Sequence, residues 1–438
     1  MEESKYNYYT QQEKKYICLN GITGTVFPLD EESYHFMRKF MSDKQLQQEN
    51  PELTERLIKT RFLINSMKEE SAILLEKHSQ KNDENIWHLI INPTQDCNFR
   101  CWYCYEKHPK GRMNDTTINN IKKLIDNILR NGNLKHFDLS WFGGEPLMYF
   151  EEVVYPISSY LLKRSNECGI TFSNSITTNG FLLNPSMIKK CVEINLNHYQ
   201  ITLDGNRDTH NKIRNQKGEP SFDKILHNTI LLAEASKDFS IRLRVNYNTQ
   251  SIQADFGKIL ECIPKKLRSQ YSIQFQRIWQ TYEKEGNDDD VKKILEKHYC
   301  DLKGMGYRIV LSGGYSIFKG LLCYADRTNY ANINYDGKLY RCTAQDYNDK
   351  TELGYIDNEG NLIWNEKRTQ GIKDRAFFDN EMCMNCDLLP LCGGPCFYKW
   401  WTMFNNKNIE KCPLKDKKFD VDLSTFIKEY YEEFQKRK

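Results

Sequence analysis

The sequence predicts an α/β protein whose core is a parallel sheet. Two observations lead there. Between residues 85 and 310, six apolar strand segments alternate with amphipathic helical patterns. On either side, residues 1–84 and 311–438 break that rhythm, so three domains are expected.

The first section reads as a small α+β module. Tyr6–Thr10 and Tyr16–Phe27 have strand composition around turns, with Gly21 and Gly24 as breakers. Asp30 is placed to cap a helix bearing Tyr34, Met37 and Met41 on one face, with Phe36 and Phe40 beside them. Another helix follows Pro51, with Leu53, Leu57 and Ile58 together. The charged run Lys77–Glu84 reads as a linker.

The core strands are Trp87–Ile91, Phe137–Phe142, Thr171–Thr177, His198–Leu203, Ile241–Tyr247 and Tyr271–Trp279. Helical spacing joins them, as in Ile118, Ile121, Leu124, Ile125 and Ile128, or Phe222, Ile225, Leu226 and Ile230. Right-handed crossovers follow for such a chain, with chemistry at the C-terminal strand ends. The last section is rich in Cys, Gly and Tyr, has short helices until Leu423–Arg437, and reads as a metal-organised module with little core of its own.

Composition narrows the function. With 39% hydrophobic and 28% charged residues, disorder is excluded. A net charge of +3 without basic blocks gives no reason to expect nucleic acid as a partner. No run approaches the roughly 18 apolar residues of a spanning helix, and Met1–Tyr9 has no export pattern, so no membrane partner and a cytoplasmic location are expected. Fifteen cysteines in a reducing compartment point to metal. Ten fall into two clusters, while Cys18, Cys168, Cys191, Cys262 and Cys300 are scattered and expected to be buried structural residues.

The first cluster follows the first core strand as Cys97-Asn98-Phe99-Arg100-Cys101-Trp102-Tyr103-Cys104. Three thiolates so spaced close on one face of a 4Fe–4S cubane and leave one iron open to a small chelating molecule. A zinc site short of its fourth ligand is the plainer alternative, with His108 at an atypical spacing. The second strand runs into Trp141-Phe142-Gly143-Gly144-Glu145-Pro146, where two glycines admit close approach to the backbone and Glu145 suits an ammonium group. Thr177-Thr178-Asn179-Gly180 follows the third strand, and Leu203-Asp204-Gly205 with His210 and Arg214 the fourth. An Asn-Gly corner and an Asp-capped helix start are the ordinary readings of these two segments.

Together these segments resemble the radical S-adenosylmethionine superfamily over roughly Trp87 to Trp279. The resemblance implies a partial (β/α)6 barrel of parallel strands and a catalytic 4Fe–4S cluster on Cys97, Cys101 and Cys104. It further implies S-adenosyl-L-methionine bound by Tyr103, Gly143, Gly144, Glu145, Pro146, Asn179, Asp204 and Arg214. Asn179 and Arg214 would lie near its ribose and carboxylate, with Asn246 a weaker candidate. For the family, cluster reduction cleaves the sulfonium to methionine and a 5′-deoxyadenosyl radical that abstracts hydrogen. An external one-electron donor, such as flavodoxin or ferredoxin, is therefore implied.

The second cluster runs Cys323, Cys342, Cys383, Cys386, Cys392, Cys396 and Cys412, with Gly337 five residues before Cys342. It resembles the SPASM auxiliary-cluster domain of peptide-modifying radical enzymes. That resemblance implies two auxiliary 4Fe–4S clusters, one on Cys383, Cys386, Cys392 and Cys412, the other on Cys323, Cys342 and Cys396. Zinc ribbons are the alternative, but seven ligands make one full site with three left over.

Three functions are compatible with this sequence. The first is maturation of a ribosomally made precursor peptide or protein by a thioether, C–C or ether cross-link, or by epimerisation. The second is anaerobic sulfatase maturation to formylglycine. That family carries an Asp after the second auxiliary cysteine, where this chain has Thr343, and a further cysteine that is missing from Tyr324–Arg341. The third is non-enzymatic electron transfer, which needs neither an open cluster nor the Glu145 motif. Residues 1–84 resemble the small winged-helix domain that grips leader peptides, which favours the first, and a structural cap on the barrel is the alternative reading of this module.

Overall fold

A computed structural model describes residues 1–79, 85–130, 132–281, 288–311, 323–373, 381–394, 397–398, 401 and 422–436. Among them the chain forms two compact units. One contains residues 1–79, Cys323 and the described residues beyond 380; the other contains 85–311 and 324–373.

In the first unit, β1 (Glu2–Glu3) pairs with β5 (Leu63–Ile64), and β2 (Asn7–Gln12), β3 (Lys15–Asn20) and β4 (Val26–Asp30) form an antiparallel sheet. Asp30 caps the helix Glu31–Ser42 by accepting from Ser33 N at 2.7 Å. Met37, Phe40 and Met41 turn inward onto Cys18, Leu57, Phe62 and Leu63, while Phe36 is exposed. A helix over Met67–Ser79 extends into the segment expected to be a linker. The C-terminal helix Leu423–Lys436 packs on this sheet, with Tyr430 OH donating to Gly24 O at 3.1 Å.

The six core strands are β6 (Ile86–Ile91), β7 (His136–Trp141), β8 (Thr171–Thr178), β9 (Leu196–Thr202), β12 (Ser240–Tyr247) and β13 (Tyr271–Arg277). All pair parallel in chain order; the short β10 (Asn215–Gln216) and β11 (Glu219–Pro220) form a separate hairpin. The helices Asp115–Leu129 and Phe222–Ala235 bury the faces their spacing marked. The sheet extends past both expected edges. β14 (Arg308–Ile309) adds parallel to β13, and β15 (Tyr330–Ile333) adds parallel to β6. β16 (Lys338–Tyr340), β17 (Gly354–Ile356) and β18 (Leu362–Trp364) continue antiparallel from β15, giving eleven strands.

Residues 324–373 therefore have a core, contrary to the sequence expectation for that stretch. Tyr330, Ala331, Ile333, Leu339 and Tyr340 are buried, since covering β6 removes apolar surface that a lone edge strand would expose. Three scattered cysteines also depart from expectation: Cys168, Cys262 and Cys300 are exposed, and only Cys18 and Cys191 are buried. Cys168 ends a helix and Cys300 lies on the outer face of Asp288–Gly304. Such a small side chain exposes little apolar area, so either placement costs little.

Candidate active site

The Cys97–Cys104 loop leaves the C-terminal end of β6 and is fixed from below by the glycine motif. Gly144 N donates to Thr94 O at 3.2 Å and Glu145 N to Asp96 O at 2.9 Å. A Cβ on Gly143, whose φ is +106°, would meet Thr94 O at 2.3 Å, and one on Gly144 would meet Asp96 O at 2.1 Å. The two glycines thus admit the backbone that leads into Cys97, as well as lining the cavity above it.

Cys97, Cys101 and Cys104 line a cavity of about 190 Å³ together with Tyr103, Gly143, Gly144, Asn179, Arg214 and Asn246. Glu145, Pro146 and Asp204 lie behind this wall, fully or nearly fully buried. Glu145 Oε1 accepts from Leu147 N (2.9 Å) and Thr178 Oγ1 (2.7 Å), and its Oε2 from Asn179 N (2.7 Å). Burial pushes its carboxyl up from the usual range, against those three donors. Its role in this geometry is to tie the end of β7 to the end of β8. Asn179 then reaches the cysteine loop, donating from Nδ2 to Asn98 Oδ1 at 2.7 Å.

On the opposite wall, Tyr103 OH donates to Asp204 Oδ2. Arg214 donates Nε to the same carboxylate oxygen and Nη2 to the Tyr103 oxygen, both at 2.7 Å. Asn246 Nδ2 joins at Tyr103 OH (3.1 Å), and Asn246 N donates to Asp204 Oδ1 (3.2 Å). Asp204 is itself oriented by His210, whose Nδ1 accepts from Asp204 N at 3.1 Å while Nε2 faces Ser221 Oγ at 3.0 Å. One buried network thus joins the cysteine loop to the ends of β9 and β12. Arg214, shielded but paired, keeps its charge on the cavity wall.

The donor set fits an iron–sulfur cluster. Cys97, Cys101 and Cys104 all border one cavity, and three thiols around a shared space are what an iron–sulfur cluster with one open iron would need. Burial pushes the Cys97 thiol up to about 12 and Cys104 to about 11, and it raises Cys101 as well. Ligation by these sulfurs would accordingly require the metal's positive charge to displace their protons.

Of the second cysteine set, Cys342 is buried just after β16, with Ala344 N donating to its sulfur at 3.3 Å. Cys383 and Cys386 flank one turn, where Cys386 N donates to Cys383 O at 3.1 Å. That turn is held by the N-terminal residues: Lys5 Nζ donates to Met384 O (2.7 Å) and Tyr8 OH to Asp387 O (2.6 Å). Cys392 ends a short helix stopped by the left-handed Gly393. Cys396 and Cys412 lie outside the described residues.

Several wall residues escaped the sequence reading, among them Glu106, Gln200, Arg244 and Gln276. The last three occupy inward positions of β9, β12 and β13. Their signal was polar alternation in strands that helices cover on the outside, as in Arg242-Leu243-Arg244-Val245. No helix among the described residues is long and apolar enough to cross a membrane.

Family comparisons agree with this geometry. The Radical SAM superfamily model matches residues 91–250, and the model of the SPASM iron–sulfur cluster-binding domain matches residues 323–387. The chain belongs to the radical S-adenosylmethionine enzymes. More narrowly, it is a member with a SPASM domain, and its cofactors are 4Fe–4S clusters and S-adenosyl-L-methionine. The radical SAM cyclopropyl synthase TigE of Paramaledivibacter caminithermalis is 23% identical, over 72% of this chain and 68% of its own. The cysteine-type anaerobic sulfatase-maturating enzyme of Clostridium novyi is 25% identical, over 70% of this chain and 87% of its own. The crystal structure of Streptococcus suis SuiB bound to its precursor peptide SuiA aligns with a TM-score of 0.50 at 16% identity, covering 97% of this chain and 99% of that one.

Proposed function

We propose that this chain modifies a ribosomally made precursor peptide, using Cys97, Cys101 and Cys104 to hold the catalytic cluster. The bound cluster and S-adenosylmethionine supply a 5′-deoxyadenosyl radical for hydrogen abstraction. Tyr103, Gly143, Gly144, Asn179 and Arg214 then serve as the cofactor's walls, with Glu145, Pro146 and Asp204 as the supports behind them. In this reading Cys383, Cys386, Cys392 and Cys412 ligate one auxiliary cluster and Cys323, Cys342 and Cys396 the other. Electrons come from a flavodoxin- or ferredoxin-like donor in the cytoplasm.

The observation that carries the reading is the N-terminal module. Its three-stranded antiparallel sheet and following helices are what a leader peptide would need, since β2 and β4 are the outer strands on which an extended chain adds. SuiB, solved with a precursor peptide, is matched over nearly all of this chain, so the likeness takes in that module.

Sulfatase maturation is the second reading, supported by the Clostridium novyi relative. Against it stands Thr343, in the place of that family's Asp. Its carbonyl accepts from Tyr105 OH and its hydroxyl meets Tyr324 OH, each at 2.5 Å. The two readings separate by mass spectrometry. Co-expression with a short peptide encoded beside this gene should give a peptide that has lost two hydrogens or has inverted one stereocentre. Formylglycine in a sulfatase peptide, with the precursor peptide unchanged, would reverse the assignment.

A further inference from the structure

The inner face of the barrel strands encloses a second cavity, about 780 Å³, that shares Tyr105, Thr177, Gln200, Arg244 and Gln276 with the cysteine cavity. Its wall mixes polar and apolar side chains, and its charges do not cancel. Arg242 and Arg244 both face it from β12, two residues apart and so about 7 Å apart along one face of the strand. Arg242 stands in register with Gln200 on one side and Ser272 on the other. Arg308 of β14 is next in that row, opposite Ser272, and donates from Nη2 to Ser240 Oγ at 3.4 Å. Arg244 donates Nε to Asn246 Oδ1 at 3.1 Å.

Among the described residues none of these three arginines has a carboxylate partner within ion-pair distance, in contrast to Arg214 on Asp204. The one carboxylate among the lining residues, Asp138, accepts from Ser173 Oγ at 2.9 Å and faces His88 at 3.7 Å. Burial, and then Arg308, hold the Arg242 guanidinium below its ordinary value. Arg242 and Arg308 are exposed overall and Arg244 is half-buried, and like charges this close oppose one another unless an anion joins them. Guanidinium forks match a carboxylate in two-point geometry.

We propose that this lumen is a specificity site for a carboxylate side chain, an Asp or Glu of the substrate peptide, held by Arg242 and Arg244. The inference rests on the reading of the chain as a peptide-modifying enzyme. Through Arg244, which lines both cavities, that acidic residue would lie beside the cysteine cavity. The peptide would thus be chosen twice, by its leader elsewhere and by an acidic residue in its core.

The test is equilibrium binding, by ligand-observed NMR, to the full-length anaerobically reconstituted protein without reductant. The probes are acetyl-Gly-Asp-Gly-amide, its Asn and Lys counterparts, and inorganic phosphate as competitor. The Asp peptide should bind about tenfold tighter than the Asn peptide, roughly what one charge-assisted hydrogen bond contributes. The double variant Arg242→Gln, Arg244→Gln should bind both equally. Arg242→Glu should reverse the preference towards the Lys peptide, a gain that misfolding does not produce. Equal affinity for Asp and Asn in the native protein, no binding of either at millimolar concentration, or Asp selectivity that survives the double variant would each overturn the proposal. Displacement of the Asp peptide by phosphate at lower concentration than its own would reassign the site to a phosphoryl group. Because no turnover is involved, an arginine-dependent Asp preference in a protein that modifies no peptide would leave this site standing and refute the proposed function.

Discussion

Gly144 shows how one absent methyl group sets the position of a ligand loop. Its would-be Cβ points at two backbone carbonyls, Gln95 and Asp96, which cannot yield as a side chain would. Gly144→Ala should therefore displace the backbone leading into Cys97, at a cost of about 2–3 kcal/mol. Iron analysis after reconstitution should then show about 4 fewer irons from a full complement of about 12. His210 makes a second prediction at this scale. Burial lowers its pKa from 6.5 to about 4, so the ring is neutral in the folded protein and its Nδ1 is free to accept from Asp204 N. The unfolded chain takes up a proton first as pH falls. His210's contribution is thus complete above pH 6.5 and lost progressively towards 4. At pH 5 the loss is about 2 kcal/mol. The thermal-stability gap between wild type and His210→Gln should narrow accordingly from pH 7 to pH 5, and a constant gap would refute the assignment.

The elements divide into those that announce themselves and those that depend on a neighbour. β6, β7, β8, β9, β12 and β13 were legible because each is a run of strand formers bounded by helical periodicity. The cysteine loop and the glycine motif were legible because their chemistry requires fixed spacing. β14 and β15, of two and four residues, carry no periodicity of their own, and pairing alone makes them strands. The lumen arginines left only the polar alternation of Arg242-Leu243-Arg244-Val245 as a signal, which marks one face of β12 without saying what that face lines. β15 gives this scale its prediction. A fragment of residues 85–373 should be soluble, whereas 85–311 should aggregate, because the latter leaves β6 as an uncovered apolar edge. Sedimentation of the two fragments decides it.

For the whole molecule, the N-terminal sheet and the Cys383–Cys392 segment belong to one compact unit. Deleting residues 1–82 would strip Lys5 and Tyr8 from the turn between Cys383 and Cys386, so truncation does not isolate leader binding. Hydrogen exchange does: a bound leader peptide that lacks its core should slow exchange in β2 or β4 and leave β6 to β9 unchanged. Beyond that lies the division of labour between the cysteine sets. The measurement that bears on it most directly is 5′-deoxyadenosine formation by the anaerobically reconstituted protein with S-adenosylmethionine and dithionite, compared among wild type, Cys104→Ala and Cys386→Ala. Wild type and Cys386→Ala should both form the product, and Cys104→Ala should form none; formation by Cys104→Ala at the wild-type rate would contradict a catalytic cluster on Cys97, Cys101 and Cys104.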